Sequence, residues 1–327
     1  MAKEGIINLN ELTKKYGDFT AVDHLTLSIH RGEIFGLLGP NGAGKTTTIL
    51  MLLGLSEPTS GTAKVCGIDP SFQPLLVKEK VGYLPDEVGF YENLSGLENL
   101  LYTAALNRIE TSDAEKKARS LLEQVGLSKK ASEKVHTYSR GMKQRLGLAD
   151  ILIKEPEIII LDEPTSGIDP EGVRELLALI KQLSSERNMT VLLSSHQLHQ
   201  VQQICHRVGI FVEGKLIAEG PIKDLAYNLF KSDPILLEVE AEPVDEGLIN
   251  DIKANENVTE VKYDKQRLFI SCRQNISAEI ANIIVNGHGA RLNYLSQQDY
   301  GLDEIYHRYF REGRQQSGNT RKSKSVS

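Results

Sequence analysis

The segment Gly39-Pro40-Asn41-Gly42-Ala43-Gly44-Lys45-Thr46 constrains the chain more than any other. It fits the spacing GxxxxGK[ST]. Glycines at those positions let successive backbone amides turn inward around a phosphate, the next helix points its positive end at the same place, and the lysine neutralises the outer oxygens. Such a loop needs a strand before it and a helix after it. The apolar run Ile34 to Leu38 supplies the strand, and Thr46 to Leu53 reads as the helix. Thr46 then presents a hydroxyl suited to a magnesium ion.

Two further short apolar runs, Ile158 to Leu161 before Asp162 and Val191 to Leu193 before Ser194-Ser195-His196, suit parallel strands buried on both faces. Helices are expected between them. Ser95-Gly96-Leu97-Glu98 and Ser112-Asp113-Ala114-Glu115 both have capping-box spacing. Asp169-Pro170 adds a cap followed by proline at the first helical position, with Val173, Leu176, Leu177 and Ile180 as the buried stripe. The fold class that follows is α/β around a phosphate loop.

With 327 residues, of which 40% are hydrophobic and 25% charged, the chain can bury a large core and a second domain. After Gly220-Pro221 the pattern changes. Leu237, Val239 and Ala241 alternate with Glu238 and Glu240, a helix with Leu248, Ile249 and Ile252 follows, two strands flank Asp264-Lys265, and a second helix with Ile280, Ile283 and Ile284 ends at Gly287 before a last strand. This order is βαββαβ, a small ferredoxin-like sandwich, closed by a helix with Leu302, Ile305, Tyr306 and Tyr309. The expected division is a nucleotide-binding part over 1–230 with a helical subdomain at about 87–155, an accessory domain over 235–312, and a disordered basic tail over 313–327. No run approaches the ~18 apolar residues of a membrane span, since Lys154, Glu155 and Glu157 interrupt the greasiest stretch. A net charge of −6 and the absence of Trp speak against a nucleic-acid partner. Cys66, Cys205 and Cys272 are far apart, which fits a reducing cytoplasm. His199, Cys205 and His206 match no common zinc spacing.

A phosphate loop alone leaves kinases, GTPases and many ATPases open. Ile158-Ile159-Ile160-Leu161-Asp162-Glu163 narrows the choice, because a buried strand delivers Asp162 toward a metal shell and sets Glu163 beside it, where it can accept a proton from an attacking water. No guanine-reading NKxD segment is present.

With these motifs in this order, the chain resembles the nucleotide-binding subunit of an ATP-binding-cassette (ABC) transporter. Tyr138-Ser139-Arg140-Gly141-Met142 is similar to the family's LSGGQ signature in a degenerate form, Asp162 through Asp169 resembles the Walker B segment running into the D-loop, His196 falls at the switch-histidine position, and Tyr16 matches the aromatic that stacks on adenine. The resemblance implies an ABC cassette with a mixed sheet and helical subdomain, hydrolysing ATP with magnesium. It assigns catalysis to Glu163, His196 and Lys45, and nucleotide contacts to Tyr16, Gly39, Pro40, Asn41, Gly42, Ala43, Gly44, Lys45, Thr46, Thr47, Ser139, Gly141 and Asp169. The metal would be held by Thr46 and Asp162.

One position departs from the pattern. Asp86 stands where the Q-loop glutamine is expected and places an extra anion next to a triphosphate; the expectation is that it still contacts the metal shell. Ser139 and Gly141 precede an apolar-striped helix, hence a second anion-binding helix start. One fold cannot easily aim two such starts at one γ-phosphate, and the family's solution is a head-to-tail dimer with two composite sites. The resemblance therefore implies a second copy of the cassette, a separate polytopic permease, and a place on the cytoplasmic face of the cell membrane, with export favoured. The competing reading is a soluble ABC ATPase that remodels ribosomes or nucleic acid.

Overall fold

The computed structural model describes residues 5–230, 233–264 and 267–297, together with 302, 304–306, 308 and 309. The chain runs through β1 (Gly5–Tyr16), β2 (Phe19–His30), β3 (Ile34–Leu38), α1 (Lys45–Leu52), β4 (Ser60–Val65), α2 (Pro74–Lys80) and β5 (Val81–Leu84). Three helices follow, α3 (Gly96–Leu106), α4 (Thr111–Gln124) and α5 (Arg140–Leu152). The chain then alternates β6 (Ile158–Asp162), α6 (Pro170–Arg187), β7 (Thr190–Ser195), α7 (Leu198–Ile204), β8 (Arg207–Val212), β9 (Lys215–Gly220) and α8 (Ile222–Phe230).

Two compact units divide between Leu225 and Ala226. In the first, a six-stranded sheet has the order β5-β6-β7-β3-β8-β9, parallel except for β9, and a three-stranded antiparallel sheet has the order β2-β1-β4. Strands β3, β6 and β7 are buried at every position, as their continuous apolar runs require. The core joins the two sheets: Ile7, Leu12, Leu25 and Ile29 meet Phe35, Leu37, Ile160 and Phe211, with Ile49 and Met51 of α1 packed in the same cluster.

The helix starts follow the side chains. Ser95 accepts from the amide of Glu98 at 3.2 Å and the Glu98 carboxylate accepts from the amide of Ser95 at 2.7 Å, which completes the expected capping box of α3. Asp169 caps α6 by accepting from Gly172 at 3.2 Å. The box expected at Ser112 is absent. Helix α4 starts at Thr111 after Glu110, so both Ser112 and Glu115 are already inside the helix, and Glu115 accepts from Arg119 one turn later at 2.7 Å.

The second unit, Ala226–Ile305, contains β10 (Ile235–Glu242), α9 (Glu246–Ala254), β11 (Val258–Asp264), β12 (Arg267–Cys272), α10 (Ser277–Asn282) and β13 (Arg291–Gln297). Its antiparallel sheet has the order β11-β12-β10-β13, which is the ferredoxin-like arrangement for βαββαβ. Leu237 and Val239 face Leu248, Ile252, Leu268, Ile270, Ile280 and Ile284 in its core, while Glu238 and Glu240 on the other face of β10 accept from Arg267. Helix α10 widens into a π turn at Ile283–Gly287 and ends there. The expected basic tail, 313–327, and Lys265 of the expected turn lie outside the described residues.

The entry to β3 depends on one buried acid. The Glu33 carboxylate accepts from the amide of His30 at 2.6 Å and from Arg207 at 2.9 Å, and the Arg207 guanidinium lies 5.4 Å from the centre of the Phe35 ring. Truncating Arg207 leaves a buried carboxylate without its cation. Arg207→Ala is expected to cost about 3 kcal/mol, read from the urea midpoint, against a much smaller loss for Arg207→Lys.

Candidate nucleotide site

Parallel strands of one sheet end on one side, and side chains just past their carboxyl ends share a crevice. The register pairs Leu38 of β3 with Ser195 of β7, and Asp162 of β6 with Ser194 of β7. The phosphate loop leaves β3, the two acids leave β6, and His196 leaves β7, so three segments far apart in sequence meet at one level.

The loop's sharp return into α1 is made by Gly44, with φ 103°. A side chain there would also approach the carbonyl of Ala21 to 2.3 Å, so only glycine fits. Asn41 and Gly42 are exposed at the crest, Pro40 is half-buried, and Gly39, Ala43 and Gly44 are buried beneath. Lys45 is buried and folds back over the loop, donating to the carbonyl of Gly39 at 2.8 Å and to that of Pro40 at 3.2 Å. Thr47 is half-buried in the first turn of α1.

The Thr46 hydroxyl donates to Asp162 at 3.0 Å, and the Ser194 hydroxyl donates to the other oxygen of the same carboxylate. Glu163 follows with φ 49°, a left-handed backbone that costs a non-glycine residue about 1 kcal/mol or more. Its amide donates to the Ser194 carbonyl at 3.1 Å, which holds the turn. One Glu163 oxygen accepts from the His196 amide at 3.3 Å and lies 2.8 Å from His196 Nδ1. The other, Oε1, is buried, lies 3.4 Å from Lys45 Nζ and receives no hydrogen bond among the described residues. A buried carboxylate oxygen held between a cation and an imidazole, and short of a donor, is suited to receive a proton from a water molecule. Tyr83 is half-buried nearby; burial and then the Asp162 charge push its phenol up to about 12, so it stays neutral beside the acids.

The structure therefore brings Gly39 through Thr46, Asp162, Glu163 and His196 together. It leaves other expected residues outside this network. Tyr16 lies exposed at the end of β1, with Lys14 Nζ 5.0 Å from its ring centre. Ser139 caps α5 by accepting from the Met142 amide at 3.3 Å, and Gly141 is next to Ile168; neither residue bonds to the loop. Asp169 serves as the cap of α6. Asp86 makes no hydrogen bond to Thr46 or Asp162: its carboxylate accepts from Arg140 at 2.9 Å and its carbonyl from Gln144 at 3.1 Å. The acid expected beside the metal shell is thus paired with a guanidinium in this structure. Of the residues near β7, His206 accepts from the Ile34 amide at 2.9 Å, and no metal-gathering group of three His, Cys, Asp or Glu exists among the described residues.

Ser194 was not anticipated as a site residue. The only signal is the change at the end of β7 from Val191-Leu192-Leu193 to a hydroxyl residue in a fully buried position.

Fold and site together define a P-loop nucleotide hydrolase. The family model described as ABC transporter matches residues 22–166. The chain is 45% identical over 220 residues, covering 67% of it and 71% of the relative, to the bacitracin transport ATP-binding protein BcrA of Bacillus licheniformis. It is 34% identical over 304 residues, covering 92% and 97%, to the linearmycin resistance ATP-binding protein LnrL of Bacillus subtilis. Among solved structures, the dimeric post-hydrolysis state of the ATP-binding cassette MJ0796 bound to ADP and Pi has a TM-score of 0.59 and 25% identity, covering 66% of this chain and 98% of the other.

The chain belongs to the ABC transporter family, among its ATP-binding proteins. It is an ATP-binding and ATP-hydrolysing subunit that powers a membrane transporter, and nothing favours the ribosome- or nucleic-acid-remodelling alternative. ABC ATPases of this kind dimerise and pair with permease chains. No helix among the described residues is long and apolar enough to cross a membrane.

Ser194→Ala should lower ATP turnover roughly tenfold by freeing one oxygen of the Asp162 carboxylate. Steady-state phosphate release measures this, and a turnover unchanged from the parent would remove Ser194 from the site.

Proposed function

We propose that Glu163 accepts the proton of the attacking water, that His196 orients Glu163 and the γ-phosphate, and that Lys45 neutralises the outer phosphate oxygens within the amides of Gly39 to Thr47. The observation that carries this reading is the chain of contacts from Lys45 through Glu163 to His196, beside the Thr46–Asp162 pair. A hydroxyl and a carboxylate are hard oxygen donors, and this set fits magnesium. Bound there, the ion would offset charge on the transferring phosphoryl group. The protein's own contribution is positioning: the loop amides and Lys45 hold the phosphates, and Glu163 holds the water in line.

The second helix start, at Ser139 and Gly141 on α5, is the part for which one copy has no use, since it makes no contact with its own loop. We assign it, together with Asp169, to the ATP of a second copy in a head-to-tail dimer, with Tyr16 as the base-stacking aromatic. Closure on two ATP molecules would drive a separate membrane permease, and hydrolysis would reopen the pair. The cytoplasmic face of the membrane is the corresponding location. The names of the relatives, bacitracin transport and linearmycin resistance, support export as the direction.

Glu163→Gln tests the base and the dimer at once. With the base lost but the nucleotide contacts intact, turnover should fall at least ~100-fold, and saturating ATP with magnesium should shift the chain from monomer to dimer in size-exclusion chromatography with light scattering. A variant that stays monomeric with saturating ATP contradicts the composite site.

A further inference from the structure

Two of the positions at which the chain departs from the family's motifs touch each other. Asp86 stands in place of a glutamine, and Arg140 stands between Ser139 and Gly141 where LSGGQ has its first glycine; their side chains pair at 2.9 Å. An acid in the first position and a cation in the second compensate each other in charge.

The position of Asp86 makes that compensation matter. Strand β5 pairs with β6 in parallel, with Leu84 opposite Leu161. Asp86 and Glu163 each follow two residues after that pair, so both acids leave the carboxyl ends of adjacent parallel strands. Three carboxylates, Asp86, Asp162 and Glu163, thus leave neighbouring strands where a triphosphate is to bind. Glu163 faces Lys45, and Asp162 is held by two hydroxyls. Only Arg140 offsets Asp86 among the described ion pairs.

Helix α5 grips the segment after β5 along one face. Arg140 donates to the Asp86 carboxylate, Lys143 to Glu92 at 2.8 Å, and the buried Gln144 to the Asp86 carbonyl at 3.1 Å. These residues are spaced i, i+3 and i+4, so they lie on one side of the helix. With Asp86 they line an open pocket of about 260 Å³. The Arg140 guanidinium also rests on Gly167, where a side chain would come within 2.8 Å of it and where φ is +67°. Arg140 therefore joins three segments: its own helix start, the Asp86 segment and the loop between Glu163 and Asp169.

We propose that Arg140 is a positioning residue for nucleotide binding, neutralising Asp86 and tethering its segment to the start of α5, so that this acid does not repel the incoming triphosphate. The pair is half exposed, so its own contribution to folding is small. Its effect is on ATP, because removing Arg140 alone releases an unpaired anion beside the phosphates, whereas removing both charges does not. The proposal rests on the nucleotide-site reading above.

The test is a double-variant cycle in the full chain, read by binding of a fluorescent ATP analogue and by steady-state hydrolysis. Arg140→Gln is expected to weaken binding and raise KM roughly three- to tenfold with a smaller change in kcat. Adding Asp86→Asn should restore affinity to within about twofold of the parent, and Arg140→Lys should fall between. A double variant that binds as weakly as Arg140→Gln, or more weakly, overturns the proposal. If circular dichroism shows Arg140→Gln unfolded, Asp86→Asn alone decides: tighter or equal binding with no added magnesium requirement supports it, and a raised magnesium requirement overturns it by making Asp86 a metal contact. A parent chain that fails to bind the ATP analogue would instead sink the nucleotide-site reading itself.

Discussion

Glu163 sits in a backbone conformation that a glutamate does not adopt without support, and the support comes from Ser194. The Ser194 carbonyl accepts the Glu163 amide, and the Ser194 hydroxyl holds Asp162 one residue earlier. Both bonds depend on β6 and β7 being parallel, adjacent and in one register. The left-handed turn then points the Glu163 carboxylate back across the sheet, where it meets Lys45 at the start of α1 and His196 just after β7. Shift either strand by one residue and the acids exchange faces, so the sheet's register is also the register of the site.

Charge follows the same geometry. Carboxylates at neighbouring strand ends repel one another and any phosphate, yet each is answered by a different device. Lys45 is a buried cation near Glu163, Thr46 and Ser194 are neutral hydroxyls on Asp162, and Arg140 is an exposed guanidinium on Asp86. Among the described ion pairs Asp162 has no cationic partner, whereas Asp86 is paired with a guanidinium. Two acids at the ends of adjacent strands thereby acquire different surroundings through their neighbours alone.

Much of this was legible in the residues. The phosphate loop announced its strand and helix because only glycine tolerates the φ and the close approach at Gly44. The buried strands were visible as unbroken apolar runs, and the βαββαβ order of the second unit as alternation at Leu237, Val239 and Ala241. Caps at Ser95, Ser139 and Asp169 were readable from local spacing. The same spacing misled at Ser112, because the helix begins two residues earlier, after Glu110, and commits Glu115 to Arg119. Ser194 was invisible, since a serine at a strand end carries no signal until the neighbouring strand is known.

The sequence by itself determined the local chemistry: which residues turn around a phosphate, which strand ends in two acids, where helices begin, and that two units are present. These depend on φ, on hydrogen-bonding capacity and on hydrophobic period, all of which act within a few residues. Only the tertiary structure decided which distant groups share a site. Glu163 is drawn to Lys45 and His196 across 118 and 33 positions of sequence, and Asp86 is claimed by Arg140 across 54. Long-range pairings of this kind are set by strand order and register, which no single segment encodes.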